Sequence, residues 1–359
     1  MENKAQCAAI ISYQGSLMGF KIVISPAGRS FEAEEGESIL DAALRNGVSL
    51  AYGCRNAVCG ACKGKLLAGE VSYEDLEPVA LSEAEKRAGM VLFCGAEPRS
   101  DLTIAVDEVC SSNEISIEQY PVRVVKLDKL APDVMRVYLK LPDASRMQFL
   151  AGQYIDIILR DGRRRSFSLA NAPHDDGLLE LHIRYIDGGE FTDHVFGDMQ
   201  EKEMLRIEGP LGGFYLRETS PRPMIFVAGG TGFAPVKGII EHALAEKIDR
   251  PIHLYWGARA EIDLYLNDMP KAWAGRGVVN YTPVLSEVAE GDQWSGRKGY
   301  VHQAVLDDFP DLSGYDVYAG GPPVMVSAAR RAFTAQGLSE ENFFYDAFEF
   351  SKDSAASEN

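Results

Sequence analysis

No apolar run in this 359-residue chain approaches the roughly 20 residues that a membrane-spanning helix needs, so no membrane association is expected. The first residues, MENKAQCAAIISYQGSL, carry a short apolar patch but neither a basic start nor a full-length apolar core, which argues against a secretory signal. A cytoplasmic protein is expected, with residues 1–17 as a loose extension and Met18 as an alternative start. Basic residues are outnumbered: 36 Lys and Arg face 53 Asp and Glu, for a formal charge of −17. A surface of that sign is a poor match for nucleic acid and suits a partner with a basic face. Internal repeats are missing, and so is any Ser-His-Asp or metal-hydrolase pattern. Cysteine is sparse too, with six in the chain. In a reducing compartment six cysteines point to metal or redox chemistry before structural disulfides.

What is present divides into three sections. FKIVIS (20–25) alternates like a strand, PAG turns, and SFEAE returns as a hairpin partner. ESILDAALRNG reads as a short helix with Ile39, Leu40, Ala43 and Leu44 on one face. GKLLAGEVSY reads as a second hairpin, and Ser82 with Glu85 forms a capping-box pattern. VLFC then ends a strand at Cys94, and DLTIAV closes the unit near residue 110. From Tyr120 to about Arg217, six short alternating stretches predict a six-stranded antiparallel barrel. Beyond residue 222, strands such as MIFVAGG, PIHLYWG and DVYAGG alternate with helical segments, one of them with Pro235 in its first turn. That rhythm predicts a parallel doubly wound sheet, which binds ligands at the carboxyl ends of its strands. The resulting divisions are residues 1–17, 18–112, 113–221 and 222–359, and the last eight residues read as disordered.

CRNAVCGAC, residues 54–62, holds Cys54, Cys59 and Cys62, and Cys94 follows after 31 intervening residues. Zinc would favour two close cysteine pairs or nearby histidines. The six histidines instead lie at 174, 182, 194, 242, 253 and 302, in other sections. Four residues, then two, then a distant fourth cysteine is the plant-type [2Fe–2S] spacing. Small neighbours (Gly53, Ala57, Gly60 and Ala61) let backbone amides approach the sulfurs and tune the potential. Cys7 and Cys110 stand apart as bystanders.

VAGGTGFAP (227–235) reads as a strand, a glycine turn and a helix start, where close backbone approach and the helix N-terminus favour phosphate. Together with the cysteine loop, RSFSLAN (165–171), GGEFT (188–192), YWGAR (255–259), AGGPP (319–323) and FFYDAFEF (343–350), it makes the chain resemble a known family over nearly all of its length after residue 18. Residues 18–110 resemble a plant-type, β-grasp ferredoxin domain, and the rest resembles a ferredoxin–NAD(P)H-reductase module. Within that family the chain is similar to the bacterial reductases that feed oxygenases, and most of all to the CDP-6-deoxy-Δ3,4-glucoseen reductases.

The resemblance implies a [2Fe–2S] cluster on Cys54, Cys59, Cys62 and Cys94, with FAD in the barrel. It places Arg165 on the FAD pyrophosphate, Ser166 and Phe167 beside it, and Ser168 near the reactive ring nitrogen. Phe167 stands where the family more often has tyrosine. His182, Ile183 and Arg184 would lie along the flavin, and Gly189 and Thr192 would form a second phosphate turn. Asp346 and Phe348 would cap the ring, with Ser168 and Asp346 supporting hydride transfer. The nicotinamide nucleotide would take Gly229, Gly230, Thr231, Gly232 and Pro235, then Gly257 and Arg259, then Gly320, Gly321 and Pro322. Gly320 departs from the family's usual cysteine, which implies slower hydride transfer or a changed ring position. Taken alone, Arg165 also reads as a solvated arginine beside Arg163 and Arg164, and Phe348 as ordinary core. After YWGAR comes AEIDLY, whose Glu261 and Asp263 would repel a 2′-phosphate, so NADH is expected over NADPH. Electrons would leave singly to an acceptor protein docked near the cluster, from a monomeric reductase. That acceptor is either a dehydrase acting on a CDP-4-keto-6-deoxyhexose or a mono- or dioxygenase. A non-catalytic iron–sulfur redox sensor is the reading from another class.

Overall fold

The structure is a computed structural model that describes residues 19–348 except 27, 47, 49, 51, 53, 54, 56, 58, 59, 75, 107–114 and 289–292. The expected extension with Met18, the eight C-terminal residues, and Cys7, Cys54, Cys59 and Cys110 lie outside the described residues. The chain divides into two compact units: residues 1–50 with 62–110, and residues 51–61 with 111–359.

The first unit contains β1 (Phe20–Ser25), β2 (Ser30–Ala33), α1 (Ile39–Arg45), β3 (Lys63–Ala68), β4 (Val71–Ser72), α2 (Glu83–Arg87), β5 (Met90–Leu92), β6 (Glu97–Pro98) and β7 (Leu102–Ala105). Its main sheet runs β2-β1-β7-β3-β5, with β1 and β7 parallel and the other pairs antiparallel. Helix α1 starts where the Ser38 hydroxyl accepts from the Asp41 N–H, and it buries Ile39, Leu40, Ala42 and Ala43. The Ser82–Glu85 capping box is present in full at α2. One expectation is corrected: GKLLAGEVSY is not a hairpin. β3 already has β5 on one side and β7 on the other, so the strand after Gly69 finds no free edge there. β4 pairs instead with β6, in a separate two-stranded sheet.

The second unit begins with β8 (Glu118–Ala131), β9 (Val134–Lys140), β10 (Tyr154–Ile158), β11 (Arg164–Ser168), β12 (Leu179–Arg184), α3 (Glu190–Phe196) and β13 (Met204–Leu211). The six strands pair antiparallel in the order β11-β10-β13-β8-β9-β12, and a bridge between Leu169 and Leu181 joins the two outer strands, closing the barrel. Alternate residues such as Val122, Val124, Val137, Leu139, Ile155 and Ile157 point inward and fill it.

The same unit continues through β14 (Met224–Gly229), α4 (Phe233–Ala245), β15 (Ile252–Ala258), α5 (Asp268–Gly275), β16 (Asn280–Leu285), β17 (Arg297–Lys298), α6 (Val301–Asp308), β18 (Asp316–Gly321), α7 (Pro323–Ala335) and β19 (Phe343–Ala347). All strands are parallel, in the order β17-β16-β15-β14-β18-β19. Every residue of β14 is buried. Met224, Phe226 and Ala228 join one core layer with α4, while Ile225 and Val227 join the opposite layer with α6 and α7. Burial on both faces is why MIFVAG reads as a continuous apolar run and not as an alternation. The strand order reverses between β14 and β18, and that gap is the switch point where such sheets take ligands.

Candidate redox-cofactor sites

The β3/β5 register sets Lys63 opposite Leu92, and the Phe93 N–H donates to the Cys62 carbonyl. This brings Cys62 and Cys94 together as buried thiols outside any disulfide, their sulfurs 3.2 Å apart. Gly64 is needed there, because a Cβ would stand 2.1 Å from the Phe93 ring. Two converging, buried soft ligands fit a metal–sulfur centre. Cys54 and Cys59 fall outside the described residues. The loop segment 51–61 that carries them belongs to the second unit, where the Gly213 N–H donates to the Tyr52 carbonyl at 2.9 Å and Arg55 Nη1 lies 3.9 Å from Asp156 Oδ2.

On β11 the side chains alternate. Ser166 donates to Asp156 on β10 at 2.6 Å, and Ser168 donates to Asp346 on β19 at 3.2 Å. Between them, Phe167 packs toward the barrel core with its ring 5.5 Å from Phe191. Burial and the neighbouring charge of Arg163 push the Arg165 guanidinium pKa down, against the pull of Asp161 and Glu190. An anion beside Arg165 would relieve both effects. Arg184 ends β12 with Nη1 3.4 Å from Asp133, and its Nε and Nη2 are buried without a partner. A Cβ on Gly230 would come within 3.3 Å of that Nη2. Orphaned guanidinium donors beside a glycine turn fit a phosphate-bearing cofactor.

Three expected flavin contacts are held by other partners. The Thr192 hydroxyl bonds within its own turn, to the Ile186 and Gly189 carbonyls, and accepts from the Ile186 N–H. Gly189 fits the same turn because a Cβ would meet that hydroxyl at 2.8 Å. Ile183 is fully buried in the barrel core. His182 is buried with Nε2 2.8 Å from Glu180 and Nδ1 3.0 Å from the Tyr265 hydroxyl. Burial lowers the His182 pKa, so the ring is neutral; with a carboxylate at Nε2, that nitrogen carries the proton and Nδ1 accepts from Tyr265. Burial works against ionisation of Glu180, but the His182 N–H and the charge of Lys237 outweigh it and hold the carboxyl at about 2. Lys237 of α4 bonds Glu180, Glu241 and the Ala170 carbonyl, pinning α4 to the barrel. This network went unread in the sequence. Its one linear signal is a lysine inside the apolar run APVKGII, which also suits a solvent-facing helix position.

The glycine turns at the switch point are packed backbone to backbone. A Cβ on Gly232 would stand 2.0 Å from the Gly320 carbonyl oxygen, and one on Gly229 would meet the Met325 sulfur at 2.5 Å. Gly321 has φ +140°, and its Cβ would lie 2.8 Å from the Gly229 carbonyl oxygen. Gly320 itself leaves only 3.0 Å between a Cβ and the Gly232 carbonyl oxygen, so a cysteine there would have to shift its neighbour. Thr231 is buried after Gly230, whose carbonyl accepts from the Trp256 indole at 3.0 Å. Pro235 is buried in the first turn of α4, Gly257 lies next to the end of β15 against Val301, and Pro322 caps α7. Asp346 pairs with Gly320 across β18 and β19, and the Phe348 N–H donates to the Gly321 carbonyl. Ser168, Asp346 and Gly320 therefore meet at one point beside the switch. Arg259 is held by Asp133 at 3.7 Å and Asp263 at 3.3 Å. Asp263 is buried and also accepts from the Ala260 N–H, while Glu261 stays exposed.

Barrel, parallel sheet and thiol pair together define an iron–sulfur flavoprotein oxidoreductase. Three family models match in chain order: a 2Fe-2S iron-sulfur cluster binding domain at residues 22–99, an oxidoreductase FAD-binding domain at 121–215, and an oxidoreductase NAD-binding domain at 226–331. The chain is 39% identical over 336 residues to the CDP-6-deoxy-L-threo-D-glycero-4-hexulose-3-dehydrase reductase of Yersinia pestis, covering 93% of this chain and all of that protein. It is 34% identical to the phenol 2-monooxygenase reductase component DmpP of Pseudomonas sp. strain CF600, covering 94% and 97% of the two chains. Among solved structures, the Amycolatopsis cytochrome P450 reductase GcoB superposes with a TM-score of 0.77 at 33% identity, covering 92% of this chain and 98% of that one. The chain belongs to the ferredoxin–NAD(P)H-reductase family, in the branch that carries an N-terminal plant-type ferredoxin domain. It is an NAD(P)H-dependent electron-transfer reductase that uses FAD and a [2Fe–2S] cluster.

Proposed function

We propose that the chain is a cytoplasmic, monomeric, NADH-dependent reductase whose acceptor is the dehydrase of a CDP-4-keto-6-deoxyhexose. In this reading residues 18–112 carry the cluster on Cys54, Cys59, Cys62 and Cys94, residues 113–221 carry the FAD, and residues 222–359 carry the nucleotide. The bound groups supply hydride transfer from NADH to FAD and single-electron passage through the cluster to the partner. The chain's own residues hold and orient. Arg165, Arg184 and the Gly189 turn would take the FAD phosphates, and the closely packed glycines at 229, 232, 320 and 321, with Gly230, would form the turns that meet the nucleotide. The observation that carries the reading is the Ser168–Asp346 bond at 3.2 Å beside Gly320. It sets a hydroxyl from the barrel and an acid from the last strand where the two ring systems would face each other.

NADH over NADPH is supported by the surroundings of Arg259, which Asp133 and Asp263 already occupy. Glu261 adds a further negative charge where a 2′-phosphate would sit. For the acceptor, the full-length likeness to a dehydrase reductase favours the dehydrase. The likeness to DmpP and GcoB supports a terminal oxygenase as the second reading. The acceptor would dock near the cluster loop, with the acidic surface favouring a basic partner face.

The test is an anaerobic titration of the purified protein with one equivalent of NADH, then NADPH, followed by addition of each candidate acceptor. Joint bleaching of flavin and iron–sulfur bands by NADH, and reoxidation by the dehydrase, is expected. Preferential reoxidation by an oxygenase would move the acceptor to the second reading. Flavin bleaching with no change at the cluster would break the proposed route, and absence of any NADH oxidation with an artificial acceptor would leave a redox sensor.

A further inference from the structure

Away from the switch point, at the far end of α4, two histidines and a glutamate come together. His242 lies in the last turn of α4 and Glu246 caps the helix four residues on, the spacing that puts two side chains on one face. His174 reaches them from the loop between β11 and β12. The ligand atoms of all three lie within 4.8 Å of one another, and the two imidazole centroids are 5.9 Å apart with planes inclined by 26°. Tetrahedral ligands around a zinc-sized ion at 2.0–2.1 Å would lie about 3.4 Å apart, so a shift of roughly an ångström completes the shell. His174 and Glu246 are exposed and free to make it.

The meeting is not accidental, because the supporting backbone is fixed. Gly238, one turn before His242, lets α4 approach the barrel so closely that a Cβ would lie 2.9 Å from the Asn171 carbonyl oxygen. Lys237 bonds the Ala170 carbonyl next to it, and the Asn171 amide donates to the Asp175 carbonyl, which holds the His174 loop.

A second, independent observation concerns His242. Its Nε2 lies 3.0 Å from the Glu218 carboxylate, which can only accept, so the proton sits on Nε2. The lone pair is then on Nδ1, and Nδ1 is buried with no hydrogen-bond partner. A carboxylate behind one ring nitrogen and an unpartnered lone pair on the other is how metal-ligating histidines are oriented.

We propose that His174, His242 and Glu246 form a second metal site, unrelated to electron transfer, for a divalent ion of the zinc class. Two imidazoles and one carboxylate suit zinc, and the remaining position would be taken by water. The ion would clasp the His174 loop of the barrel to the end of α4, tying together the segments that carry the flavin and the nicotinamide nucleotide.

The experiment uses untagged, cofactor-loaded, full-length protein, titrated anaerobically with zinc by calorimetry while the iron–sulfur absorbance is watched for damage. His174→Ala and Glu246→Ala are compared with the wild type, both being exposed positions whose substitution leaves the core intact. One equivalent of zinc, a raised thermal midpoint in the wild type, and binding at least tenfold weaker in both variants are expected. Wild-type protein that takes up no zinc, or variants that bind it as tightly and show the same midpoint rise, would overturn the site.

Discussion

Cys62 and Cys94 would hold a redox group by offering side chains; Gly229, Gly232, Gly320 and Gly321 would do so by withholding them. The thiol pair is a matter of identity: two sulfurs 3.2 Å apart, set by one antiparallel register. The glycine turns are a matter of space: two backbones so close that a methyl at 232 would stand 2.0 Å from the neighbouring carbonyl oxygen. The two sites should therefore fail differently. Removing a thiol deletes a ligand and spares the fold around it, whereas adding a methyl to a glycine turn forces two strands apart.

The largest effect is expected at the thiols. Cys94→Ser should abolish the iron–sulfur absorbance and nearly all acceptor reduction, while flavin bleaching by NADH persists; loss of both would mean that the two sites are not separable. Next comes the network that pins α4 to the barrel. Glu180→Gln leaves Lys237 with Glu241 as its remaining carboxylate partner, so the loss should be about 1–3 kcal/mol, read as a drop in the denaturant midpoint. Its pH dependence has a definite sign. The folded Glu180 pKa, about 2, lies below its ordinary value of 4.5, so its stabilisation is present above about 4.5 and disappears as pH falls toward 2. The gap between wild type and Glu180→Gln should close over that range. Gly232→Ala should raise the Kd for NADH at least tenfold, about 1.4 kcal/mol, with cluster absorbance unchanged in a direct titration. The smallest effect is expected at the polar meeting point. Asp346→Asn keeps the shape and a weaker bond to Ser168, and should slow flavin reduction severalfold in a stopped-flow experiment without altering NADH affinity.

The same contrast explains what could be read in advance. Ligand identity survives in the linear sequence: the four-then-two cysteine spacing, the alternation of the six barrel strands, and the glycines closing β14, β15 and β18 are all visible there. Occupancy does not survive. Thr192 looks like a free hydroxyl in GGEFT, yet its oxygen is spent on the Ile186 and Gly189 backbone. His182 looks available in HIRY, yet both ring nitrogens are taken by Glu180 and by Tyr265, the latter 83 residues away. The misread hairpin at 64–73 has the same origin, since the partners that fill the edges of β3 come from β5 and β7, later in the chain. Gly238, inside the helical run that follows Pro235, is where α4 touches the barrel. Each of these depends on which atoms arrive from distant segments, and residue type alone carries no record of that.

The bond between Ser168 and Asp346 joins residues 178 positions apart, and Asp346 belongs to β19, the last of the described strands. During synthesis the barrel and both glycine turns can be laid down while the Ser168 hydroxyl still waits for its acid. A ribosome stalled short of β19 would leave a molecule without this bond, without the β18–β19 pairing and without the core contacts of Phe343 and Ala347. Among the described strands, β19 is the last to leave the ribosome.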